Sequence, residues 1–115
     1  MSKIRAIIKR PDEQYGHVTN ISNTLENLQR TVGGYIETVT FRAPREDSPV
    51  FVVICDEEGR LKGKAPNCAV MEWDASKVAA FVGGIVIVGV DGDEFTDCPL
   101  DFKDWKSMVL LPEGA

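Results

Sequence analysis

The sequence predicts an α+β fold: a mainly antiparallel sheet of about five strands, one main helix packed on a face of the sheet, and a short C-terminal helix. Short apolar runs are separated by turn residues without strict strand–helix alternation. One segment, residues 23–34, combines helical spacing with capping residues at both ends. The most apolar run, residues 85–90, is typical of a central strand.

Composition narrows the class of protein. The 115 residues carry 18 Asp+Glu and 13 Lys+Arg, a net charge of −5, with 43% hydrophobic residues. These values are typical of a globular domain, and we expect a single domain over residues 1–111 with a loose tail at 112–115. The acidic balance argues against binding to a nucleic-acid backbone. Without a membrane-length apolar run or a signal peptide, the sequence predicts a cytoplasmic protein with no membrane contact.

Four strands are expected in the first half of the chain. Residues 3–9 and 17–21 are separated by turn residues and predict a hairpin. Residues 35–41 alternate imperfectly between polar and apolar and predict a third strand, followed by a polar loop to residue 49. The unbroken apolar run at 50–55 predicts a strand covered on both faces.

The main helix is expected to begin at Asn23, a good N-cap residue, with Glu26 in the capping-box position. Leu25, Leu28 and Val32 recur at helical spacing, and Gly33 and Gly34 are suited to the left-handed conformation that ends a helix.

Two shorter helices are expected in the second half. Residues 74–82 predict a helix capped by Asp74 and ended by Gly83. Pro99 fits the first position of a last helix, where its missing N–H has no intrahelical partner. The core-facing stripe of that helix is predicted to contain Phe102, Trp105 and Val109.

Metal and cofactor chemistry find little support. Cys55, Cys68 and Cys98 are widely spaced, and His17 is the only histidine. A structural zinc site needs four converging ligands, so we predict no metal site, no cofactor and no assigned catalytic residue. Cys55 ends an apolar run and is interpreted as a small buried hydrophobe. A small enzyme using a carboxylate or Cys68 stays open as an alternative.

Two further motifs fail on spacing. Counting from Asp91 as the first position of an EF-hand loop, the sixth position is Thr96 and not the required glycine. The glycine pairs at 33–34 and 83–84 follow predicted helices instead of opening them, so they do not form a phosphate loop.

Arg60, Lys62 and Lys64 alternate with Leu61 and Gly63, which at strand spacing places the three cations on one side. They form the best anion-binding candidate, together with Asn67 in the following loop. The alternative is an edge strand that lysines protect against aggregation.

The stretch 91–104 is strongly acidic and has a single cation, Lys103. Such a patch is suited to docking on a basic protein surface, or it keeps a small protein soluble. The candidate partner-binding residues are Asp91, Asp93, Glu94, Asp97, Asp101 and Asp104.

The order of short motifs provides a resemblance. The landmarks are the helix and strand at residues 23–37, the turn and cationic segment at 56–63, Pro66-Asn67, and the apolar strand at 84–89. This order, over about residues 18–97, resembles the small bacterial and phage domains catalogued as domain of unknown function 3846. The resemblance implies an origin in phages, prophages and mobile elements, and so the cytoplasm of a bacterial host. It implies no activity, catalytic residue or cofactor.

From this resemblance we expect a non-enzymatic accessory protein that acts by binding, in counter-defence. In the first version, a possible homo-oligomer sequesters a small signalling nucleotide. Its pocket would contain Arg60, Lys62, Lys64 and Asn67, with Tyr35 or Trp73 stacking on the base. In the second version, the acidic surface docks on a host protein. A structural subunit of a larger assembly is a third possibility.

Overall fold

The computed structural model describes residues 2–44 and 50–112. Within these ranges the chain forms two antiparallel sheets and two helices. In chain order the elements are β1 (Lys3–Lys9), β2 (His17–Ser22), α1 (Leu25–Val32), β3 (Ile36–Arg42), β4 (Val50–Asp56), β5 (Pro66–Met71), β6 (Val78–Val82), β7 (Ile85–Asp91), β8 (Glu94–Thr96), α2 (Phe102–Met108) and β9 (Val109–Leu110).

The larger sheet has the strand order β2–β1–β7–β4–β3, with β8 paired to β7. The smaller sheet has the order β6–β5–β9. The predicted α+β class and antiparallel pairing are confirmed, including the hairpin of β1 with β2 and the central place of β7. The larger sheet has six strands in the described residues against about five expected, and the smaller sheet was not predicted.

Alternation along the central strands divides the buried side chains into two clusters. Ile85 and Ile87 of β7 belong to a cluster that both sheets share with Trp105 of α2. Val86 and Val88 belong to a second cluster, which includes Leu28 of α1. β4 alternates in the same way, so the prediction of a strand covered on both faces is confirmed.

The start of α1 differs from the prediction by one residue. Thr24 is the N-cap, and its hydroxyl accepts a hydrogen bond from Asn27 N at 3.1 Å. Asn23 instead donates from Nδ2 to the Phe95 carbonyl at 2.9 Å, which joins this segment to β8. Glu26 therefore lies one position too early for a capping box. The predicted end is confirmed, since Gly33 is the C-cap with φ of 81°.

The predicted helix over residues 74–82 is wrong. This segment contains a turn followed by β6, which pairs with β5. Asp74 shapes the turn, because its Oδ1 accepts from Ser76 N at 3.0 Å, and Ala75 takes a positive φ of 61°. Alternating burial along β6, where Phe81 is buried and Ala80 exposed, suits a strand whose pairing overrides local helix propensity.

Three other expectations need correction. The turn expected at residues 56–59 is confirmed, but turns continue through residue 63 where strand spacing was expected, with Lys62 N donating to Glu58 O. Pro99 precedes the last helix, whose N-cap is Asp101. Val109 is buried as predicted but belongs to β9. Residues 45–49 of the expected loop and 113–115 of the expected tail lie outside the described residues.

Candidate functional site

Asp56, at the end of β4, is bound by two lysines from the turn that follows it. Its Oδ2 atom lies 2.8 Å from Lys62 Nζ and 2.7 Å from Lys64 Nζ. Its Oδ1 accepts from Glu58 N at 2.9 Å. Only 1% of the Asp56 side chain is exposed, so these contacts replace hydration of the carboxylate. We call Asp56, Lys62 and Lys64 the Asp56 clip.

The clip also caps the C-terminus of α1. Lys64 Nζ donates to the Val32 carbonyl at 2.7 Å, and Lys62 Nζ donates to the Gly33 carbonyl at 3.1 Å. Cations are stabilising there because the last carbonyls of a helix lack intrahelical partners and carry partial negative charge. The close approach requires a residue without a side chain at Gly34, where a Cβ atom would lie 2.5 Å from Asp56 Oδ1.

The charges of the clip are strongly coupled. Hydrogen bonds first from Lys62 and then from Lys64 hold the pKa of Asp56 well below its usual value. The same pairing with Asp56 raises the pKa of Lys62. The structure thus gives Lys62 and Lys64, two of the candidate anion-binding residues, internal partners.

Arg60 is placed differently from the two lysines. It is exposed, and its Nη2 atom donates to the Ala80 carbonyl of β6 at 2.8 Å. Arg60 lies at a cleft of about 340 Å³ that we call the inter-sheet cleft. The cleft is lined by parts of β3, β4, β6 and the turn after β4: Glu37, Val39, Cys55, Asp56, Glu57, Arg60, Leu61, Ala79, Ala80, Phe81 and Val82.

Carboxylates dominate the electrostatics of this cleft. The Cys55 thiol lies 3.9 Å from Glu37 Oε2. Burial, followed by the negative charges of Glu37 and Asp56, raises the pKa of Cys55 to about 11, against a smaller lowering by Arg60. Cys55 is therefore a neutral thiol in the cleft wall, as its interpretation as a buried hydrophobe requires.

Asn67 is buried beside Lys9 instead of lying exposed in a loop. Its Oδ1 accepts from Lys9 Nζ at 2.6 Å, and its Nδ2 donates to the carbonyls of Lys9 at 2.9 Å and Gly83 at 2.7 Å. Burial lowers the pKa of Lys9. This pair borders a second cleft of about 370 Å³, also lined by residues 11–14 and by Leu111 and Pro112.

The two candidate stacking residues do not share a pocket. Tyr35 is 68% exposed and directly precedes β3. Trp73 is 51% exposed and follows Glu72, whose carboxylate accepts from Arg42 N at the other end of β3. At about 3.3 Å per strand residue, these positions are roughly 20 Å apart.

The acidic residues of 91–104 divide into two groups. Asp97 Oδ1 accepts from Arg5 N at 2.7 Å, and Asp101 Oδ1 caps α2 by accepting from Asp104 N at 2.8 Å. Asp91, Asp93 and Glu94 are exposed around the tight turn between β7 and β8. Among the contacts of the described residues, the carboxylates of this second group and of Asp104 have no hydrogen-bond or salt-bridge partner.

Sequence reasoning missed Asp56, Glu37 and Lys9. Asp56 directly follows an apolar run, and lysines come six and eight residues after it. In the sequence, residues 56–59 indicated a turn and the lysines indicated anion binding, so their pairing with Asp56 was missed. The role of Glu37 depends on pairing between β3 and β4, which no local pattern reveals.

Two further findings concern the described residues as a whole. No helix among them is long and apolar enough to cross a membrane. In the same part of the chain, no group of three or more His, Cys, Asp or Glu side chains is arranged to hold a metal ion.

The fold and the cleft define a two-sheet α+β domain whose central strands are buried on both faces. The chain belongs to the family described as a domain of unknown function (DUF3846), whose family model matches residues 4–109. The match extends beyond the residues that carried the resemblance and includes the acidic stretch. Searches of curated proteins and of solved structures returned no significant match.

Proposed function

We propose that this protein acts by binding and not by catalysis, as a counter-defence accessory protein of phages and mobile elements, and that the inter-sheet cleft is its binding site. The observation that carries the site is the position of Arg60. Its guanidinium uses one donor on Ala80 and lies at a cleft of about 340 Å³, within the volume range of ligand sites.

A small signalling nucleotide is the first candidate ligand. Arg60 supplies the charge-assisted hydrogen bonds that phosphate needs. Lys62 and Lys64 already bind Asp56 and cap α1, so in this version phosphate binding depends on Arg60. Asn67 and Trp73 lie away from the cleft lining and have no part in it.

Native mass spectrometry of protein freshly purified from bacterial cells tests the nucleotide version. We expect a mass excess that is released on denaturation, reduced at least tenfold in Arg60→Ala, and retained in Arg30→Ala, an exposed arginine on α1. A ligand-free wild type, or a mass excess unchanged in Arg60→Ala, would contradict nucleotide binding at Arg60. The same spectra report whether the protein is an oligomer.

Docking on a basic host protein is the second candidate function. The supporting observation is the exposure of Asp91, Asp93 and Glu94 together around one hairpin turn. We expect wild-type protein to retain a host partner that the Asp91→Asn/Asp93→Asn/Glu94→Gln variant loses, with weaker retention at higher salt. Equal retention by both proteins would rule out this surface.

An enzyme acting through Cys68 has less support. Burial raises the pKa of Cys68 to about 11, so roughly one thiol in ten thousand is ionised at pH 7. A nucleophilic cysteine needs a lowered pKa and an accessible thiolate.

A further inference from the structure

The strand β3 forms one edge of the larger sheet. Within residues 2–44 and 50–112 it pairs with β4 alone. Two contacts fix which of its backbone groups point outward. The Thr40 carbonyl accepts from Lys77 Nζ at 2.6 Å, and Arg42 N donates to Glu72 Oε1 at 2.8 Å. Thr40 and Arg42 thus direct backbone groups away from β4.

The direction of the backbone N–H and C=O groups alternates from residue to residue along an antiparallel strand. The backbone groups of Ile36 and Thr38 therefore also point away from β4. The Tyr35 carbonyl points the other way, toward the chain of β4, because it accepts from Glu57 N at 2.8 Å. This is the direction that the alternation requires. The segment 72–77 covers the outer edge of β3 at Thr40 and Arg42. Among the described residues, nothing hydrogen-bonds to the outward N–H and C=O of Thr38.

This uncovered half of β3 borders the inter-sheet cleft. Glu37 and Val39, the neighbours of Thr38, line the cleft together with Phe81. Val39 and Phe81 provide an apolar floor, whereas Glu37 and Glu57 are exposed carboxylates at its rim. Lysine and proline, which commonly protect sheet edges, are absent from Ile36–Arg42.

We infer that an extended peptide segment of a partner protein adds to the free edge of β3 and places basic and apolar side chains in the inter-sheet cleft. This inference rests on the proposed function of the cleft and names its occupant. Main-chain hydrogen bonds to Thr38 supply affinity, as in other cases of strand addition. Specificity comes from two side chains of the peptide. A basic side chain opposite Glu37 forms an opposite-charge cross-strand pair, and an apolar side chain packs against Val39.

The charge beside the free edge favours a basic segment. Glu37, the neighbour of Thr38, is an exposed carboxylate, and the net charge of the chain is −5. The two clip lysines exceed Asp56 by one positive charge, but they donate to that carboxylate and to the carbonyls that end α1. Side chains alternate between the faces of a strand, so the peptide needs lysine and valine two residues apart on its cleft face.

The probe is a synthetic heptapeptide, Thr-Lys-Thr-Val-Thr-Lys-Thr, blocked at both ends. In titrations followed by amide chemical shifts, we expect changes at residues 36–40 and 79–82 and slower hydrogen exchange of the Thr38 amide. A peptide with N-methyl groups on alternate residues keeps its side chains but loses the backbone N–H donors of those residues. We expect this peptide to bind at least tenfold more weakly. A version with glutamate in place of lysine is expected to fail as well.

Two proline variants give a matched comparison. Thr38→Pro removes an outward N–H from β3, a position where an edge strand tolerates proline. Asn20→Pro removes an outward N–H from β2, at the opposite edge of the sheet. Asn23 N donates to Ser2 O and so points toward β1, and by alternation the N–H of Asn20 points away from β1. Peptide binding is expected to weaken at least tenfold in Thr38→Pro and to stay unchanged in Asn20→Pro. Glu37→Gln, which keeps the backbone, serves if Thr38→Pro does not fold, and is expected to weaken binding of the lysine peptide.

The outcomes separate this inference from the proposed function. Equal binding of the N-methylated peptide, or unchanged binding in both Thr38→Pro and Glu37→Gln, would overturn strand addition. If adenosine diphosphate shifts the cleft resonances and the peptide does not, the occupant is wrong and the cleft remains the site. If neither probe shifts residues 36–40 or 79–82, both proposals fail.

Discussion

Lys64 Nζ lies 2.7 Å from Asp56 Oδ2 and donates at the same distance to the Val32 carbonyl at the end of α1. One ammonium group therefore joins the last residue of β4 to the C-terminus of the main helix. Lys62 repeats the connection through Asp56 and the Gly33 carbonyl. These lysines, which looked like ligand-binding residues in the sequence, stabilise the junction between sheet and helix.

Replacing Asp56 by asparagine tests the clip. The variant leaves two ammonium groups without their shared counter-charge beside a buried amide, and we expect a loss of about 2 kcal/mol in the free energy of unfolding. Urea denaturation measures this loss. Asp93→Asn, at the exposed β7–β8 turn, is the matched control and is expected to change the free energy of unfolding by less than about 0.5 kcal/mol. Equal effects of the two variants would contradict a structural role for the clip.

The clip also predicts an acid-sensitive fold. The pKa of Asp56 is lowered in the folded state, and Ser76 followed by Arg42 lowers the pKa of Asp74 to about 2. An unfolded aspartate has a pKa of about 3.9, so on acidification the unfolded chain binds protons first. Stability is therefore fully present above about pH 5 and decreases progressively below about pH 4.

Urea midpoints at pH 6 and pH 3 test this dependence. The difference between the two midpoints is expected to be smaller in Asp56→Asn than in the wild type, because the variant has lost one of the titrating groups. An identical difference in both proteins would remove Asp56 from the explanation.

Alanine substitutions at two glycines distinguish the cost of backbone strain from the cost of a contact with the clip. Gly63 and Gly83 both have φ of 70°. A Cβ atom at Gly63 would meet nothing within 4 Å, whereas one at Gly83 would lie 2.7 Å from Lys64 Cδ. We expect Gly83→Ala to lower the free energy of unfolding by about 1 kcal/mol more than Gly63→Ala, which reports the conformational cost alone. Urea denaturation of both variants checks the difference, and equal losses would mean that Lys64 moves aside freely.

Local sequence signals predicted the part of the fold that local chemistry determines. The central strand followed from an unbroken apolar run, and the end of α1 followed from a glycine suited to positive φ. The helix expected at 74–82 was wrong because pairing with β5 stabilises β6, and such non-local pairing is not visible in a single segment.

The candidate site was predicted in part. Arg60 lies at the inter-sheet cleft, as expected of a ligand-binding residue. Lys62 and Lys64 instead bind Asp56, because the chain turns after Asp56 where the spacing of the lysines had suggested an extended strand. Asn67 was selected as a loop residue and is instead buried against Lys9, 58 positions away in the chain. Charge alternation identifies cations, whereas their partners depend on tertiary contacts.

The three cysteines provide a test of burial. Cys55, Cys68 and Cys98 are buried free thiols, and burial raises the pKa of each. Reaction with an aromatic disulfide reagent at pH 8 is expected to be at least a hundredfold slower than in urea, where all three thiols react. Fast stoichiometric labelling of one thiol in the native protein would support the enzyme alternative instead.

Lys62 and Lys64 stabilise the fold, whereas Arg60 lies at the cleft. The most direct test of this division compares the free energies of unfolding of Arg60→Ala, Lys62→Ala and Lys64→Ala, measured in urea under identical conditions. We predict that Lys62→Ala and Lys64→Ala unfold at clearly lower urea concentration than the wild type, whereas Arg60→Ala stays close to it. Wild-type stability in both lysine variants would contradict this account, because the lysines would then be free to bind a ligand.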